Sequence, residues 1–218
     1  MRLIYYYILI TSLLGYTSIA PLPIFELSKD TIKKLDQNEI VTIKTDLGKE
    51  NNKSAIFNTE FYEGYIANPI DGEHYQIYGV INANINEVYH AIENFDNYSK
   101  FMTRLEQVEY INPIEYIFHI TLPMDIRYQY RIKIKKTNPI WLAWDTVPWK
   151  ENSIKETFGQ WHLEPYKGSA NKTLVRYQIY TDPGYIPFGV EWIVDIMTRV
   201  SLPKTVKNLK TWIENNEN

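Results

Sequence analysis

Cysteine is missing from the 218 residues. That excludes a disulfide framework, a thiolate metal site, a thiol nucleophile and a lipidated cysteine. Glycine is sparse, with nine residues. No Gly-x-Ser-x-Gly, P-loop or dinucleotide fingerprint occurs, so a phosphate cradle is not expected. Basic charge is not in excess either: 23 Lys and Arg stand against 26 Asp and Glu, a net charge of −3. This balance lacks the electrostatic footprint of a nucleic-acid binder. Histidine is scarce too, at positions 74, 90, 119 and 162. No two of these lie at helical ligand spacing, so neither a metal nor another cofactor is expected. Each histidine reads as an ordinary surface or sheet-edge residue.

Aromatic residues are what the chain has in plenty, including 18 Tyr and six Trp. Rings that are apolar at one end and polar at the other suit half-wet cavity walls. The plainer reading is that they fill strands.

The N-terminus reads as an export signal over residues 1–20. Arg2 supplies a positive start, Leu3 to Leu14 an apolar run, and Ser18 and Ala20 small residues before a cut after Ala20. The run is too short for a comfortable membrane span. The expected destination is the periplasm or the exterior. Pro21 and the successive Tyr5, Tyr6 and Tyr7 favour the alternative, an uncleaved anchor.

Residues 21–72 read as an N-terminal extension. Ser28 caps a short helix through Leu35, 39–45 alternate as a strand, 46–54 form a polar loop, and 55–66 are a further strand. Asn68-Pro69-Ile70-Asp71-Gly72 is a turn signal. The main domain is expected over 73–218. It opens with a strand at 74–83, and Asn84 and Glu87 make a capping box for the helix that follows. A second helical turn covers 97–101. The period then switches to two, with strands at 104–111, 114–122, 126–136, 140–147, 154–165 and 172–181. In 126–136, Ile126, Tyr128, Tyr130, Ile132 and Ile134 share one face; Arg127, Gln129, Arg131, Lys133 and Lys135 share the other. That basic row reads as a solvated face opposite acidic neighbours. The alternative is peripheral contact with a membrane of anionic lipid. Trp141 and Trp144 fall on opposite faces, so the pattern assigns no packed face to 140–147. Gly159 marks a bend or a close approach.

A terminal helix is expected from about Phe188, roughly 40 Å long if unbroken. Pro203 must kink it or begin a second segment.

Three motifs occur in order. Gly79-Val80-Ile81-Asn82-Ala83 runs into Ile85-Asn86-Glu87-Val88-Tyr89-His90-Ala91-Ile92. Then come Phe95-Asp96-Asn97-Tyr98-Ser99-Lys100-Phe101-Met102 and Gly159-x-Trp161-x-Leu163-x-Pro165, followed by Thr173, Tyr177, Asp182-Pro183-Gly184 and Ile186-Pro187. Over about residues 75 to 215 the chain resembles the START-like (SRPBCC) superfamily, in particular its bacterial polyketide-cyclase-like members. The resemblance implies an α+β helix-grip fold, a curved antiparallel sheet wrapped around a long C-terminal helix. Ser99 replaces a proline common in that family. The family shares no catalytic set, so no active site is carried over.

The expected function is binding of a lipid or other hydrophobic small molecule between sheet and helix. The candidate wall comprises Tyr116 and Phe118, Tyr128 and Tyr130, Trp161 and Leu163, Tyr177, and Ile193, Met197 and Val200 on the helix. The plain alternative for each is a solid core. Two further readings stay open. One is a cyclase or aromatase using a polar group in the same cavity, with Asp145, Arg176 and Glu191 as candidates and Arg176 on the wet face. The other is a pocketless interaction module.

Overall fold

The computed structural model describes residues 27–47, 52–57, 61–62, 66, 72–184, 192 and 196–216. The expected signal segment, the 68–71 turn and the 185–191 corner lie outside these residues.

Eight antiparallel strands form one sheet in the order β1-β2-β8-β7-β6-β5-β4-β3. They are β1 (Val41–Thr45), β2 (Glu73–Ile81), β3 (Leu105–Asn112), β4 (Glu115–Thr121), β5 (Arg127–Thr137), β6 (Trp141–Thr146), β7 (Glu156–Pro165) and β8 (Thr173–Asp182). The six alternating segments after residue 103 are therefore β3 to β8, joined in meander fashion. Asn112 shapes the β3–β4 turn, its Oδ1 accepting from the Ile114 amide at 3.0 Å. The chain crosses once, from β2 at one side of the sheet to β3 at the far edge. Helices α3 (Ile85–Glu93) and α4 (Tyr98–Phe101) occupy that crossover. The Asn84 side chain accepts from the Asn86 and Glu87 amides and Glu87 reaches back, closing the capping box.

The terminal helix α5 spans Leu202–Asn216, preceded by a π-helical turn at Ile196–Ser201. Pro203 is the second residue of α5. Proline has no N–H to donate into the π-helical turn before it. Pro203 therefore begins a second helical segment. Helix α5 lies against β2 and α4, and Val206, Leu209 and Ile213 enter the inner core.

The N-terminal stretch departs furthest from the sequence pattern. Helix α1 (Lys29–Asp36) is capped by Ser28 as expected, and β1 pairs with β2. Lys53–Phe57, however, is a helix, α2, rather than loop running into strand. It belongs to a second layer over the outer face of the sheet. There Phe57, Tyr62 and Ile66 pack with Trp141, Ala143, Phe158 and Tyr180. Leu35 of α1 packs with Tyr78, Val80 and Leu174. The middle of the sheet is consequently buried on both sides. Residues 173–180 of β8 are buried without a break.

That cover corrects two expectations and assigns the faces of a strand the pattern left open. His74 and His162 are 2% and 5% exposed, not surface residues. Arg176 is on the outer face, but that face is dry: the residue is 8% exposed. Trp141 and Trp144 are both buried, on opposite sides, in the outer and inner clusters. A face with polar residues at alternate positions reads as wet, but here those residues bond one another. Gln160 Nε2 donates to Gln178 Oε1 at 2.6 Å and to the Phe57 carbonyl at 3.2 Å, and Trp141 Nε1 donates to Gln160 Oε1 at 2.7 Å. His119 is half-exposed beside Glu109, and His90 is exposed beside Glu93.

Candidate functional site

The inner face of the sheet carries the aromatic residues that the period-two pattern selects. Trp161 of β7 stacks on Tyr177 of β8, centroids 4.2 Å apart, and Tyr177 stacks on Trp144 of β6 at 5.6 Å. Phe118 of β4 stacks on Tyr130 of β5 at 5.5 Å. Gly159 makes this packing feasible. A β-carbon there would lie 2.3 Å from the Trp144 ring and 2.4 Å from the Gln178 carbonyl, so the expected close approach is a tryptophan ring.

Two adjoining cavities lie between this wall and the helices. The smaller, of about 20 Å³, is lined by aromatic and aliphatic residues, among them Phe95, Tyr98, Phe118, Trp144, Trp161 and Tyr177. The larger, of about 80 Å³, is bordered by Arg104, Tyr128 and Tyr130 on the β3–β5 side and by Thr157, Ile179 and Thr181 on the β7–β8 side. It meets the start of α5 at Ser201, Leu202 and Thr205. Met102, Tyr130, Tyr177 and Ile179 border both. The smaller space holds about one water-sized molecule and the larger a few.

Most polar groups at these walls are already bonded. Tyr98 Oη donates to the Ile92 carbonyl at 2.8 Å, and Thr157 Oγ1 donates to the Tyr180 carbonyl at 3.0 Å. The phenols of Tyr130 and Tyr177 differ: neither hydroxyl has a hydrogen-bond partner among the described residues. Burial raises the pKa of Tyr98, Tyr130 and Tyr177 well above the ordinary phenol value. All three stay neutral, and the unpartnered Tyr130 and Tyr177 can donate a hydrogen bond to a guest. Among the described residues, no group of three His, Asp or Glu gathers to hold a metal ion.

The expected wall residues separate into groups. Phe118, Tyr130, Trp161 and Tyr177 border the smaller cavity, and Tyr128 borders the larger. Tyr116 and Leu163 belong to the surrounding core instead: Tyr116 lies on Phe95, centroids 4.2 Å apart, and Leu163 is 1% exposed. Val200 is 41% exposed and borders neither cavity. It sits in the π-helical turn, which takes more residues per turn than an α-helix, so a face assigned at 3.6 spacing drifts out of phase. Ile193 and the Met197 side chain lie outside the described residues. Asp145 and Arg176 face the outer layer, where Asp145 meets Lys53 at 3.1 Å and Arg176 donates to His162 Nδ1 at 3.2 Å. Glu191 is outside the described residues.

The pattern missed Phe95, Tyr98, Met102 and Arg104. The first three stood in the motif that carried the family resemblance, yet nothing in their spacing marks them as lining. Arg104 carries no local signal at all.

No family model and no curated protein matches the sequence. Solved structures do match in shape. The Zhui aromatase/cyclase of Streptomyces sp. R1128 superposes with a TM-score of 0.53 at 10% identity, over 67% of this chain and 96% of that one. A START superfamily protein from Mycobacterium smegmatis gives 0.53 at 9% identity, over 66% and 98%. TTHA0849 from Thermus thermophilus gives 0.51 at 12% identity, over 66% and 98%. Strand order, the double crossover helix, the terminal helix across the sheet and these likenesses together establish that the chain has the START-like helix-grip fold.

Proposed function

We propose that the protein binds a lipid or another hydrophobic small molecule between the inner face of the sheet and α5. The observation that carries this is the pair of adjoining aromatic-lined cavities with two unpartnered phenols at their junction. Apolar walls with a few fixed polar groups are what small-molecule sites require. A ligand of this class needs several times the space present, so binding requires the wall to part. The larger cavity is closed on one side by the start of α5 and its π-helical turn, and a shift of that junction widens it.

The described lining contains neither His, Asp nor Glu. Phenols held neutral by burial orient a guest better than they shuttle its protons. This favours binding over the cyclase-type chemistry in the name of the Streptomyces neighbour. Mass spectrometry of organic extracts of the purified protein tests the reading, with Nile red binding as a second measure. A copurified apolar molecule, displaced by or competing with the dye, supports it. An empty extract together with no dye binding overturns it.

We also propose that residues 1–20 direct export. N-terminal sequencing of protein from the producing cells should begin at Pro21; an intact Met1 in the membrane fraction supports the anchor instead.

A further inference from the structure

Polarity along the two cavities is ordered. The smaller end is walled by aromatic rings and aliphatic side chains, the junction holds the Tyr130 and Tyr177 phenols, and the larger end carries Thr157, Thr181 and Thr205. Arg104 borders the larger cavity, and it is the one charged residue bordering either cavity among the described residues. Arg104 is exposed and forms no ion pair with a described carboxylate. Asp182, next to the lining residue Thr181, is paired with Lys155 at 2.7 Å.

The backbone at Arg104 is also unusual. Its φ is 71°, a left-handed conformation that disfavours residues other than Gly, Asn and Asp. The Thr121 amide donates to the Arg104 carbonyl at 3.0 Å and pins the turn. Such strain persists where surrounding structure holds it and is common at ligand clamps. The turn fixes an exposed arginine at the border of a largely apolar space.

We propose that the site selects amphipathic ligands with an anionic head, a carboxylate being the simplest. The head is met by Arg104 at the border of the larger cavity, and the apolar body runs past the two phenols toward Trp161 and Phe118. A guanidinium offers a planar pair of N–H donors to a carboxylate while the head stays partly hydrated. This rests on the hydrophobic-ligand reading above and adds its charge class.

Calorimetric titration with dodecanoate and with dodecanol separates the two claims, since these differ only at the head. The wild-type protein should bind dodecanoate about tenfold more tightly, the size expected for a charge-assisted hydrogen bond. Arg104→Gln should remove that difference and leave dodecanol binding unchanged. Lys135→Gln, which removes the same charge from the exposed face of β5, should leave the preference intact. Equal binding of both ligands, unmoved by Arg104→Gln, overturns the anionic-head inference and leaves the hydrophobic reading standing. Loss of preference in both variants overturns it as well, because general charge then explains it. Binding of neither ligand to the wild-type protein overturns both readings.

Discussion

The two faces of one sheet solve opposite problems. The outer face is closed by the N-terminal layer and carries bonded polar groups: the Gln160–Gln178–Trp141 network, Tyr62 Oη on the Gly159 carbonyl, and Lys53 between Asp145 at 3.1 Å and Glu156 at 2.5 Å. The inner face carries aromatic rings, two small cavities and two phenols without partners. Most polar groups under that cover are matched within the protein, because leaving one unmatched costs free energy; His74, His162 Nε2 and Arg176 Nε are exceptions among the described residues. The outer face is filled by the N-terminal layer, whereas the inner face keeps open space beside its unpartnered phenols. By that contrast the inner face is the candidate site.

The largest expected break in this contrast is at Lys53. Lys53→Ala leaves the buried Asp145 and the half-buried Glu156 without a cation and should cost about 3–5 kcal/mol. Lys44→Ala, which removes an exposed partner of Glu73, should cost about 1 kcal/mol or less. Urea denaturation of both variants measures the gap; equal costs would mean that the outer layer is not sealed.

Gly159→Ala joins the two faces, since its methyl meets Trp144 on the inside. Overpacking of this kind should cost about 1–3 kcal/mol and shift the near-ultraviolet dichroism of the tryptophans. A variant with unchanged stability and spectrum would show that the Trp144 ring is free to move.

Acid should loosen the outer face before the inner one. Burial, helped by the Arg176 charge, pushes His162 down to about 3, and burial alone pushes His74 down to about 4. Both are neutral when folded and have a pKa near 6.5 when unfolded. Their stabilising contribution is complete above pH 6.5 and is lost as pH falls toward 4 and 3. From pH 7 to pH 5 each imidazole should cost about 1–2 kcal/mol. His74 is the sharper test, as both ring nitrogens lack hydrogen-bond partners among the described residues and Phe57 lies 5.2 Å away. His74→Phe should remove about half of the slope the two imidazoles give between pH 7 and pH 5; an unaltered slope would refute the assignment.

The smallest effect compares two tyrosines. Tyr62→Phe should lose about 1 kcal/mol with its bond to Gly159. Tyr177→Phe should leave stability unchanged or slightly raised, because its hydroxyl has no partner, while weakening binding of a polar-ended guest. If the two variants lose equal stability, the inner phenol is structural and not reserved for a ligand.

Much of the fold was legible because the physical signals were local. Alternation placed β3 to β8 nearly to the residue, the Asn84–Glu87 pair marked the start of α3, and Pro203 marked a new segment. Trp161, Tyr177, Phe118 and Tyr130 were legible at the cavity because they sit on the apolar side of those strands. Trp141, His74, His162 and Arg176 were misread or unassigned for one reason: alternation reports a difference between faces and cannot reveal a second cover arriving from elsewhere in the chain. Arg104 was invisible because its place at the cavity depends on a turn pinned to the end of β4 by the Thr121 amide, after the crossover has carried the chain across the sheet.

Residue order was enough to set the succession of strands and helices, the inward aromatic set and the START-like resemblance, since periodicity, capping and turn chemistry act over a few residues. Packing in three dimensions settled which polar residues are dry, how little space remains between sheet and helix, and which charged residue borders it. Those outcomes depend on segments distant in sequence meeting at contact distance, and spacing along the chain carries no record of it.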